Sequence, residues 1–208
     1  MIAWSIRAAS ASRCFDRIMV STDDDEIADV ARAFGAEVPF LRPAALSDDH
    51  TGTIPVIAHA IRWHNDHMHS PATEVCCIYA TAPLLRPGDL QRSLDVLAKG
   101  NYDYAFSVTS YASPIQRALR IDTQQRVSMF SPEHFHTRSQ DLEEAWHDAG
   151  QFYWGTAAAW LACKPLFADC SAAVTLPRYR VQDIDTLDDW LRAELLAAAL
   201  ENNPQEQA

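Results

Sequence analysis

The chain has no excess of positive charge. Its 208 residues include 17 Lys and Arg against 28 Asp and Glu, which gives a formal net charge of −11 at pH 7. Nucleic acids and anionic membranes are bound by basic surfaces. The charge balance therefore argues against both as partners, and an anionic small ligand would need a local cluster of basic side chains or a metal ion.

Long apolar runs and paired cysteine spacings are also missing. No run approaches the roughly 20 residues that cross a bilayer, and no charged-then-apolar signal segment opens the chain. The cysteines are odd in number and show no C-x-x-C spacing, which favours reduced thiols in a cytoplasmic protein. They are Cys14, Cys76, Cys77, Cys163 and Cys170.

What is present is a globular composition, with 48% hydrophobic residues, and an alternation of strand-like and helix-like segments. The spacing predicts strands over residues 15–21, 37–41, 75–80, 104–109 and 179–184. It predicts helices over about 27–34, 54–64 and 87–99, and another after Thr186. This order predicts a single α/β domain over residues 1–208, with a mostly parallel twisted sheet and helices on both faces.

The alternation breaks between about Arg117 and Gly150. The letters A-L-R-I, a turn at D-T-Q-Q and the letters R-V-S-M-F predict a hairpin, and a polar segment follows it. We expect an insertion on the sheet, or an arm that reaches a partner subunit.

The stretch V-Q-D-I-D-T-L-D-D-W, residues 181–190, places two aspartates one residue apart directly before a helix. At the end of a strand, Asp183 and Asp185 would share one face. Carboxylates this close repel unless a cation lies between them, and Mg²⁺ takes such a pair together with phosphate oxygens. The alternative is a pair of solvated aspartates at a strand-to-helix turn, ahead of the capping box from Thr186 to Asp189.

Three further stretches lie where strands end or helices begin. L-R-P places Arg42 after a short predicted strand, and S-D-D-H-T-G-T precedes a helix whose backbone N–H groups can face a ligand. Y-A-T-A-P-L ends the strand predicted over 75–80. Each stretch also has an ordinary interpretation as a solvated side chain, a cap or a turn.

Five blocks, taken in order, carry a resemblance that covers nearly the whole chain. They are F-D-R-I-M-V-S-T-D-D-D-E-I-A, G-A-E-V-P-F-L-R-P-A-A-L-S-D-D-H-T-G-T, Y-A-T-A-P-L-L, R-S-Q-D-L-E-E-A-W-H-D-A-G-Q-F-Y-W-G and R-Y-R-V-Q-D-I-D-T-L-D-D-W. Together they resemble the CMP-sialic acid synthetase family of acylneuraminate cytidylyltransferases. The block G-Q-F-Y-W-G is similar to the pseudaminic acid cytidylyltransferase branch, because other branches read G-A-I-Y there.

The resemblance implies a Rossmann-like nucleotidyltransferase fold and an enzyme that transfers CMP from CTP to pseudaminic acid, releasing pyrophosphate, to activate the sugar for surface glycans. It implies that Asp183 and Asp185 are catalytic and hold Mg²⁺. The positions implied to bind the nucleotide are Arg42, Thr51, Gly52, Thr53 and Tyr79. Those implied to bind the sugar acid are Arg138, Gln151, Phe152 and Tyr153. Because Arg138 lies in the segment implied to reach a dimer partner, we expect a homodimer built through residues 117–150.

The family's members begin with a strand and a Gly/Ser/Lys/Arg-rich loop that cradles the triphosphate. Here residues 1–6 match the helix that follows that loop. The resemblance therefore implies that the strand and loop are missing from this sequence, and we expect the chain to fold but to turn CTP over poorly or not at all. Two alternatives stay open: a synthetase for N-acetylneuraminate or a related nonulosonate, and a non-catalytic nucleotide-binding subunit.

Overall fold

The computed structural model describes residues 1–202. Its α-helices, α1 to α6 in chain order, cover Ile2–Ser12, Asp25–Ala33, Thr53–His67, Pro87–Lys99, Ala157–Leu161 and Leu187–Glu201. Its strands, β1 to β6, cover Glu74–Ile78, Tyr104–Ser110, Leu119–Ile121, Val127–Met129, Trp146–Thr156 and Ser171–Thr175.

The central sheet has four strands in the order β1-β5-β2-β6. β2 pairs in parallel with β6, and the long β5 runs antiparallel to both β1 and β2. β1, β2 and β6 therefore point the same way, and β5 lies reversed between two of them. The α/β fold predicted from the sequence is confirmed.

The sheet separates two apolar layers, because successive side chains of a strand point to opposite faces. On β5, Phe152 and Trp154 pack in one layer with Leu90 of α4. Tyr153, between them in sequence, packs in the other layer with Trp160 of α5. Helices thus cover both faces of the sheet, as predicted.

The helices with the clearest end signals begin and end where the sequence indicates. α4 starts at Pro87, a residue whose fixed φ suits the first helical position, and ends at Lys99 before Gly100. α6 follows a capping box in which the Thr186 side chain and the Asp189 side chain each bond the other's backbone N–H.

The two strands predicted before α3 are reduced to a single bridge. Met19 pairs in parallel with Glu37, and the Val20 N–H donates to the Glu37 carbonyl at 2.8 Å. A strand is maintained by hydrogen bonds to a neighbour along its length. Residues 15–21 and 37–41 make such a contact at this one point, so apolar character alone does not make them strands.

The prediction of a last strand over residues 179–184 is wrong. Arg178–Arg180 forms a 3₁₀ turn, and the backbone then runs extended toward α6 without joining the sheet. The strand at that edge is β6, whose small residues S-A-A-V-T pair with β2. Because β6 takes the place beside β2, the segment carrying Asp183 and Asp185 lies outside the sheet.

The hairpin predicted within 117–150 is confirmed, since β3 pairs antiparallel with β4. β5 begins at Trp146, so the end of that segment belongs to the central sheet. All five cysteines are free. Within residues 1–202, no helix combines the length and apolarity needed to cross a membrane.

Candidate active site

A cavity of about 390 Å³ lies between α1, the start of α3 and the end of β1. The five residues implied to bind the nucleotide all line it, although they come from three separate parts of the chain: Arg42, Thr51, Gly52, Thr53 and Tyr79. Most of the remaining wall is apolar. A concave apolar wall with a few convergent polar groups is typical of small-molecule sites.

Arg42 is held at the cavity wall by both its backbone and its side chain. Its N–H donates to the Thr22 carbonyl at 2.7 Å. Its Nε donates to Ser47 Oγ at 3.1 Å, and its Nη2 lies 3.0 Å from Asp23 Oδ1. The guanidinium is therefore oriented, and its remaining N–H groups can meet a polar group of a ligand.

Asp48 organises the loop before α3. Its Oδ1 accepts hydrogen bonds from the His50 N–H at 2.9 Å, the Thr51 N–H at 2.7 Å and the Thr51 hydroxyl at 2.9 Å. These bonds, that from His50 first, hold the pKa of Asp48 below its usual value. Gly52 then precedes α3 and has no side chain with which to cap it, so the first N–H groups of the helix can face an anionic or polar ligand.

Tyr79 connects this cavity to the central sheet. Its hydroxyl lies 2.9 Å from Thr53 Oγ1. Its backbone N–H donates to the Gln151 carbonyl at 3.0 Å, and its carbonyl accepts a hydrogen bond from Ser5 Oγ at 2.8 Å. Its ring lies 5.2 Å from that of Tyr153. A displacement of β5 would therefore be transmitted through Tyr79 to Thr53, the first residue of α3.

β5 bulges where it passes β2. Its pairing register with β2 shifts between Phe106 and Val108, and Gly150 adopts a φ of 62°, in the left-handed region that suits glycine. The bulge brings Tyr153 to Asp148, and the tyrosine hydroxyl donates to Oδ2 at 2.6 Å. Burial, and then this hydrogen bond, raise the pKa of Tyr153, so the phenol stays a neutral donor.

Asp183 lies in the irregular segment after the 3₁₀ turn, and Asp185 lies at a bend just before α6. The carboxylate of Asp183 lies beside Gly150, with its Oδ1 3.5 Å from the point where a β-carbon on that residue would stand. Burial, and then the negative charge of Asp185, raise the pKa of Asp183, with further contributions from Asp148 and Asp189. The charge of Asp185 thus acts on Asp183 although the two residues are not on a strand, and their shared role at a metal ion stays a prediction.

This concentration of negative charge fits a divalent cation. Mg²⁺ binds one or two carboxylates and completes its shell with water and phosphate oxygens. Within residues 1–202, no group of three or more His, Cys, Asp or Glu side chains forms a metal site. Since Mg²⁺ needs only one or two protein carboxylates, Asp183 and Asp185 could hold it together with oxygens of a bound substrate, as the resemblance implies.

Two residues implied to bind the sugar acid lie elsewhere. The Phe152 side chain is fully buried in the apolar layer that contains Leu90, so the structure places it in the core and not at a binding surface. Arg138 pairs with Asp141 through Nε at 2.9 Å and Nη2 at 3.1 Å, and its side chain is 78% exposed. Neither residue lines the cavity.

The other two residues implied to bind the sugar acid, Gln151 and Tyr153, lie close to the candidate site but are buried. Both are 2% exposed. The Gln151 amide donates to the Arg180 carbonyl at 2.6 Å, which connects β5 to the turn preceding the aspartate pair. Their side chains are therefore placed to orient neighbouring groups.

Sequence reasoning does not single out Asp148, although it stands beside Asp183. It lies two residues before Gly150, in the letters H-D-A-G. Aspartate shortly before glycine is also common in ordinary turns. The pattern therefore contains no signal that separates a site carboxylate from a turn residue.

Solved structures define the class to which this fold belongs. The chain is similar to a CMP:2-keto-3-deoxy-manno-octonic acid synthetase complexed with CTP, with a TM-score of 0.66 and 14% identity, over 95% of this chain and 87% of that one. It is also similar to the 4-diphosphocytidyl-2C-methyl-D-erythritol synthase of Anaerococcus prevotii DSM 20548, with a TM-score of 0.62 and 12% identity, over 97% and 86%. The fold is the Rossmann-like α/β fold of nucleotidyltransferases, as the sequence implied.

The chain belongs to the cytidylyltransferase family, whose sequence model matches residues 1–160. The pseudaminic acid cytidylyltransferase of Campylobacter jejuni strain 81-176 is 40% identical over 196 residues, 94% of this chain and 84% of that protein. A Helicobacter pylori protein named as both a pseudaminic acid cytidylyltransferase and a UDP-sugar hydrolase is 33% identical over 186 residues, 88% of this chain and 35% of that protein. The resemblance found in the sequence is confirmed, and the protein is a nucleotidyltransferase.

Proposed function

We propose that the protein transfers CMP from CTP to pseudaminic acid, a nine-carbon 2-keto sugar acid, and releases pyrophosphate. The observation that carries this proposal is the 40% identity, over 94% of the chain, to a relative named for that activity. The convergence of five nucleotide positions on one cavity supports it. The negative charge around Asp183 and Asp185 supports a role for Mg²⁺ in the reaction.

In the proposed reaction, the anomeric hydroxyl of the sugar acid attacks the α-phosphorus of CTP. Mg²⁺, when bound, would neutralise charge on the triphosphate as pyrophosphate leaves. Asp183 and Asp185 would hold that ion through their carboxylates. Arg42 and the N–H groups at the start of α3 orient the cytidine, and the hydrogen bond between Thr53 and Tyr79 fixes the wall against which it lies.

A row of polar groups leads from the nucleotide cavity to the aspartate pair. The Tyr79 ring contacts that of Tyr153, whose hydroxyl bonds Asp148, and the charge of Asp148 acts on Asp183. We place the sugar acid along this row, because its reacting hydroxyl must lie between the nucleotide and the aspartate pair. Tyr153 orients Asp148 there, since the tyrosine itself is 2% exposed.

We also propose a homodimer built through β3, β4 and the segment that follows them. Large apolar side chains in this part of the chain are exposed, namely Leu119 at 57%, Ile121 at 64%, Val127 at 60%, Phe130 at 58% and Phe135 at 63%. Exposed apolar groups clustered in this way mark protein–protein contact surfaces. Arg138 would then lie at the subunit contact, which agrees with its implied role at a site shared between subunits.

The test of the proposed activity is pyrophosphate release from CTP and Mg²⁺ with pseudaminic acid, compared with the same mixture containing N-acetylneuraminic acid or EDTA. Release that requires pseudaminic acid and metal supports the proposal. Release with N-acetylneuraminic acid but not with pseudaminic acid would favour the alternative substrate.

That alternative is supported by the N-acylneuraminate cytidylyltransferase A of Danio rerio, which is 38% identical over 108 residues, 52% of this chain and 24% of that protein. CTP binding without release from any acceptor would indicate a nucleotide-binding subunit.

A further inference from the structure

Asp89 and Arg180 form a buried ion pair beside the candidate active site. Arg180 Nη1 lies 2.6 Å from Asp89 Oδ2, and Nη2 lies 3.3 Å from Oδ1. The side chains of Arg180 and Asp89 are only 9% and 4% exposed. The pair joins the first turn of α4 to the 3₁₀ turn that ends three residues before Asp183.

The Asp89 end of the pair is held rigidly. The residue lies in the first turn of α4, where the helix dipole favours a negative charge. Arg92 adds a second cation, with its Nη2 3.1 Å from Asp89 Oδ1. Asp89 is therefore a fixed anion on a helix that packs against the sheet.

Arg180 is fixed at its backbone as well as at its side chain. The Gln151 amide donates to the Arg180 carbonyl at 2.6 Å. Gln151 is 2% exposed and lies in the bulged part of β5. Contacts from α4 and from β5 thus determine where the chain leaves the turn toward Asp183.

Beyond this turn, backbone N–H groups of the aspartate segment bond side chains within the segment itself or at the start of α6. The Ile184 N–H donates to Asp183 Oδ1 at 3.1 Å, and the Asp185 N–H donates to Asp189 Oδ2 at 3.4 Å. The short stretch carrying the two carboxylates is therefore fixed at its ends, by Arg180 before it and by the capping box of α6 after it.

We propose that the Asp89–Arg180 ion pair, together with Gln151, positions the carboxylates of Asp183 and Asp185 for a divalent cation. This inference rests on the proposed metal role of those two carboxylates. Arg180 is a positioning residue, because it acts through the intervening backbone. The planar guanidinium can meet both carboxylate oxygens of Asp89, which the single ammonium of a lysine cannot do in the same way.

The experiment measures how much a metal ion adds to CTP affinity. CTP is titrated calorimetrically into the full chain with Mn²⁺ and, separately, with EDTA. The ratio of the two dissociation constants gives the metal-dependent gain, without any need for turnover. Arg180→Met should reduce this gain by about tenfold or more, since groups that orient metal ligands commonly have effects of that size. Arg180→Met should leave the CTP affinity measured in EDTA unchanged.

A control removes a different and more exposed ion pair, which lies directly before the first residue of β2. Lys164 Nζ lies 2.7 Å from Asp103 Oδ1, and Lys164→Met should leave the metal-dependent gain unchanged. Arg180→Lys should recover part of the gain lost in Arg180→Met. A reduced gain in Arg180→Met together with an unchanged gain in Lys164→Met supports the inference.

Loss of stability is separated from loss of positioning by the double variant Asp89→Leu with Arg180→Met. Replacing both members of a buried ion pair by apolar residues often preserves stability, so its unfolding temperature should approach that of the parent. Its metal-dependent gain should remain low. If the double variant recovers the metal-dependent gain in CTP affinity together with its stability, the inference is overturned. It is also overturned if that gain in Arg180→Met stays within about twofold of the gain in the parent. A parent chain with no metal-dependent gain would instead overturn the proposed metal role, and the inference with it.

Discussion

The carboxylate of Asp183 lies against the backbone of Gly150, with its Oδ1 3.5 Å from the point where a β-carbon would stand. Gly150 adopts a φ of 62°, which other L-residues adopt at a cost in free energy. The bulge in β5 therefore supplies both the backbone conformation and the open face against which Asp183 rests. This contact joins the central sheet to the aspartate pair.

Gly150→Ala should destabilise the fold and disturb the site. The left-handed backbone is expected to lower the free energy of unfolding by about 1–2 kcal/mol, as measured by urea denaturation. The added methyl group would stand at ordinary van der Waals distance from the Asp183 carboxylate, 3.5 Å from Oδ1, and would limit the approach of water and ions on that side. The Mg²⁺ concentration that gives half-maximal pyrophosphate release should therefore rise severalfold.

Gly35→Ala is the matched control for this substitution. Gly35 has a φ of 91°, and among residues 1–202 no atom beyond its chain neighbours lies within 4 Å of the point where its β-carbon would stand. The variant should lose stability without changing the Mg²⁺ requirement. Equal effects of both variants on that requirement would contradict the role of the contact between Gly150 and Asp183.

Relative to whatever rate the parent shows in the same assay, Asp183→Asn and Asp185→Asn should each lower pyrophosphate release by about 100-fold or more, an effect typical of removing a group that stabilises transition-state charge. Neither variant should unfold the protein. Asp188→Asn, a substitution in the first turn of α6 three residues after Asp185, should stay near the parent rate. Parent-like, magnesium-dependent release in either site variant would argue against the metal assignment.

Asp183→Asn should also be at least as stable as the parent. The pKa of Asp183 is raised by burial and by the charge of Asp185. A raised folded-state pKa gives a contribution to stability that is present below the unfolded pKa and lost as pH rises through the folded value. At pH 7 the ionised carboxylate is therefore unfavourable to the fold, and asparagine removes it. Thermal unfolding at pH 7 in EDTA checks this, and a clearly lower midpoint for the variant would contradict it.

Tyr153→Phe removes the hydrogen bond to Asp148. Hydrogen bonds to charged groups contribute about 1.5–3 kcal/mol, so the variant should lose stability in that range, and its activity should fall as Asp148 loses its orientation. Tyr104→Phe is the control, because its hydroxyl bonds the Lys164 carbonyl at 3.0 Å, away from the aspartate pair. It should lose less stability and keep its activity. An equal fall in activity for both variants would indicate a general packing effect.

The stability contributed by the Tyr153 hydroxyl should depend on pH in the alkaline range. Burial and the bond to Asp148 raise the pKa of Tyr153, so its contribution is complete below the ordinary tyrosine value of about 10 and falls above it. Urea unfolding at a series of pH values measures the difference between parent and Tyr153→Phe. That difference should be constant near neutral pH and shrink above about pH 10. A constant difference throughout would contradict the assigned shift.

The proposed dimer predicts that a charge on the β3–β4 hairpin produces monomers. Ile121→Asp should shift sedimentation at micromolar protein from dimer toward monomer, because it places an unpaired charge in an apolar contact. Leu195→Asp is the control, since Leu195 is also 64% exposed but lies on α6. Its sedimentation should match that of the parent. Monomer in the parent, or dimer in Ile121→Asp, would speak against a contact at this hairpin.

The sequence by itself determined the elements whose signals are local. α4 begins at Pro87 and ends before Gly100 because the first residue fits a helix start and the second ends the pattern. The capping box at Thr186 and the β3–β4 hairpin were predictable for the same reason, since each depends on residues a few positions apart. Short blocks of sequence also indicated the positions proposed to bind the nucleotide, and the structure places all five on one cavity.

Only the tertiary structure decided which apolar segments are strands. Residues 179–184 are predicted as a strand from the sequence, yet β6 takes the place beside β2 and they remain outside the sheet. A strand depends on a partner that is distant in sequence, so the same letters are a strand or an extended loop according to what lies beside them. The order of the sheet, and the reversal of β5 within it, were decided in the same way.

The tertiary structure likewise decided what surrounds the candidate site. Asp89 and Arg180 form an ion pair although they are 91 positions apart in the sequence. Neither lies in a sequence pattern that distinguishes it from other acidic and basic residues. Phe152 and Tyr153 are neighbours in one block, but alternation along β5 sends them to opposite layers. Local sequence thus determined which chemical groups are available, and long-range packing decided which of them meet, because burial and ion pairing depend on distances in space and not on separation along the chain.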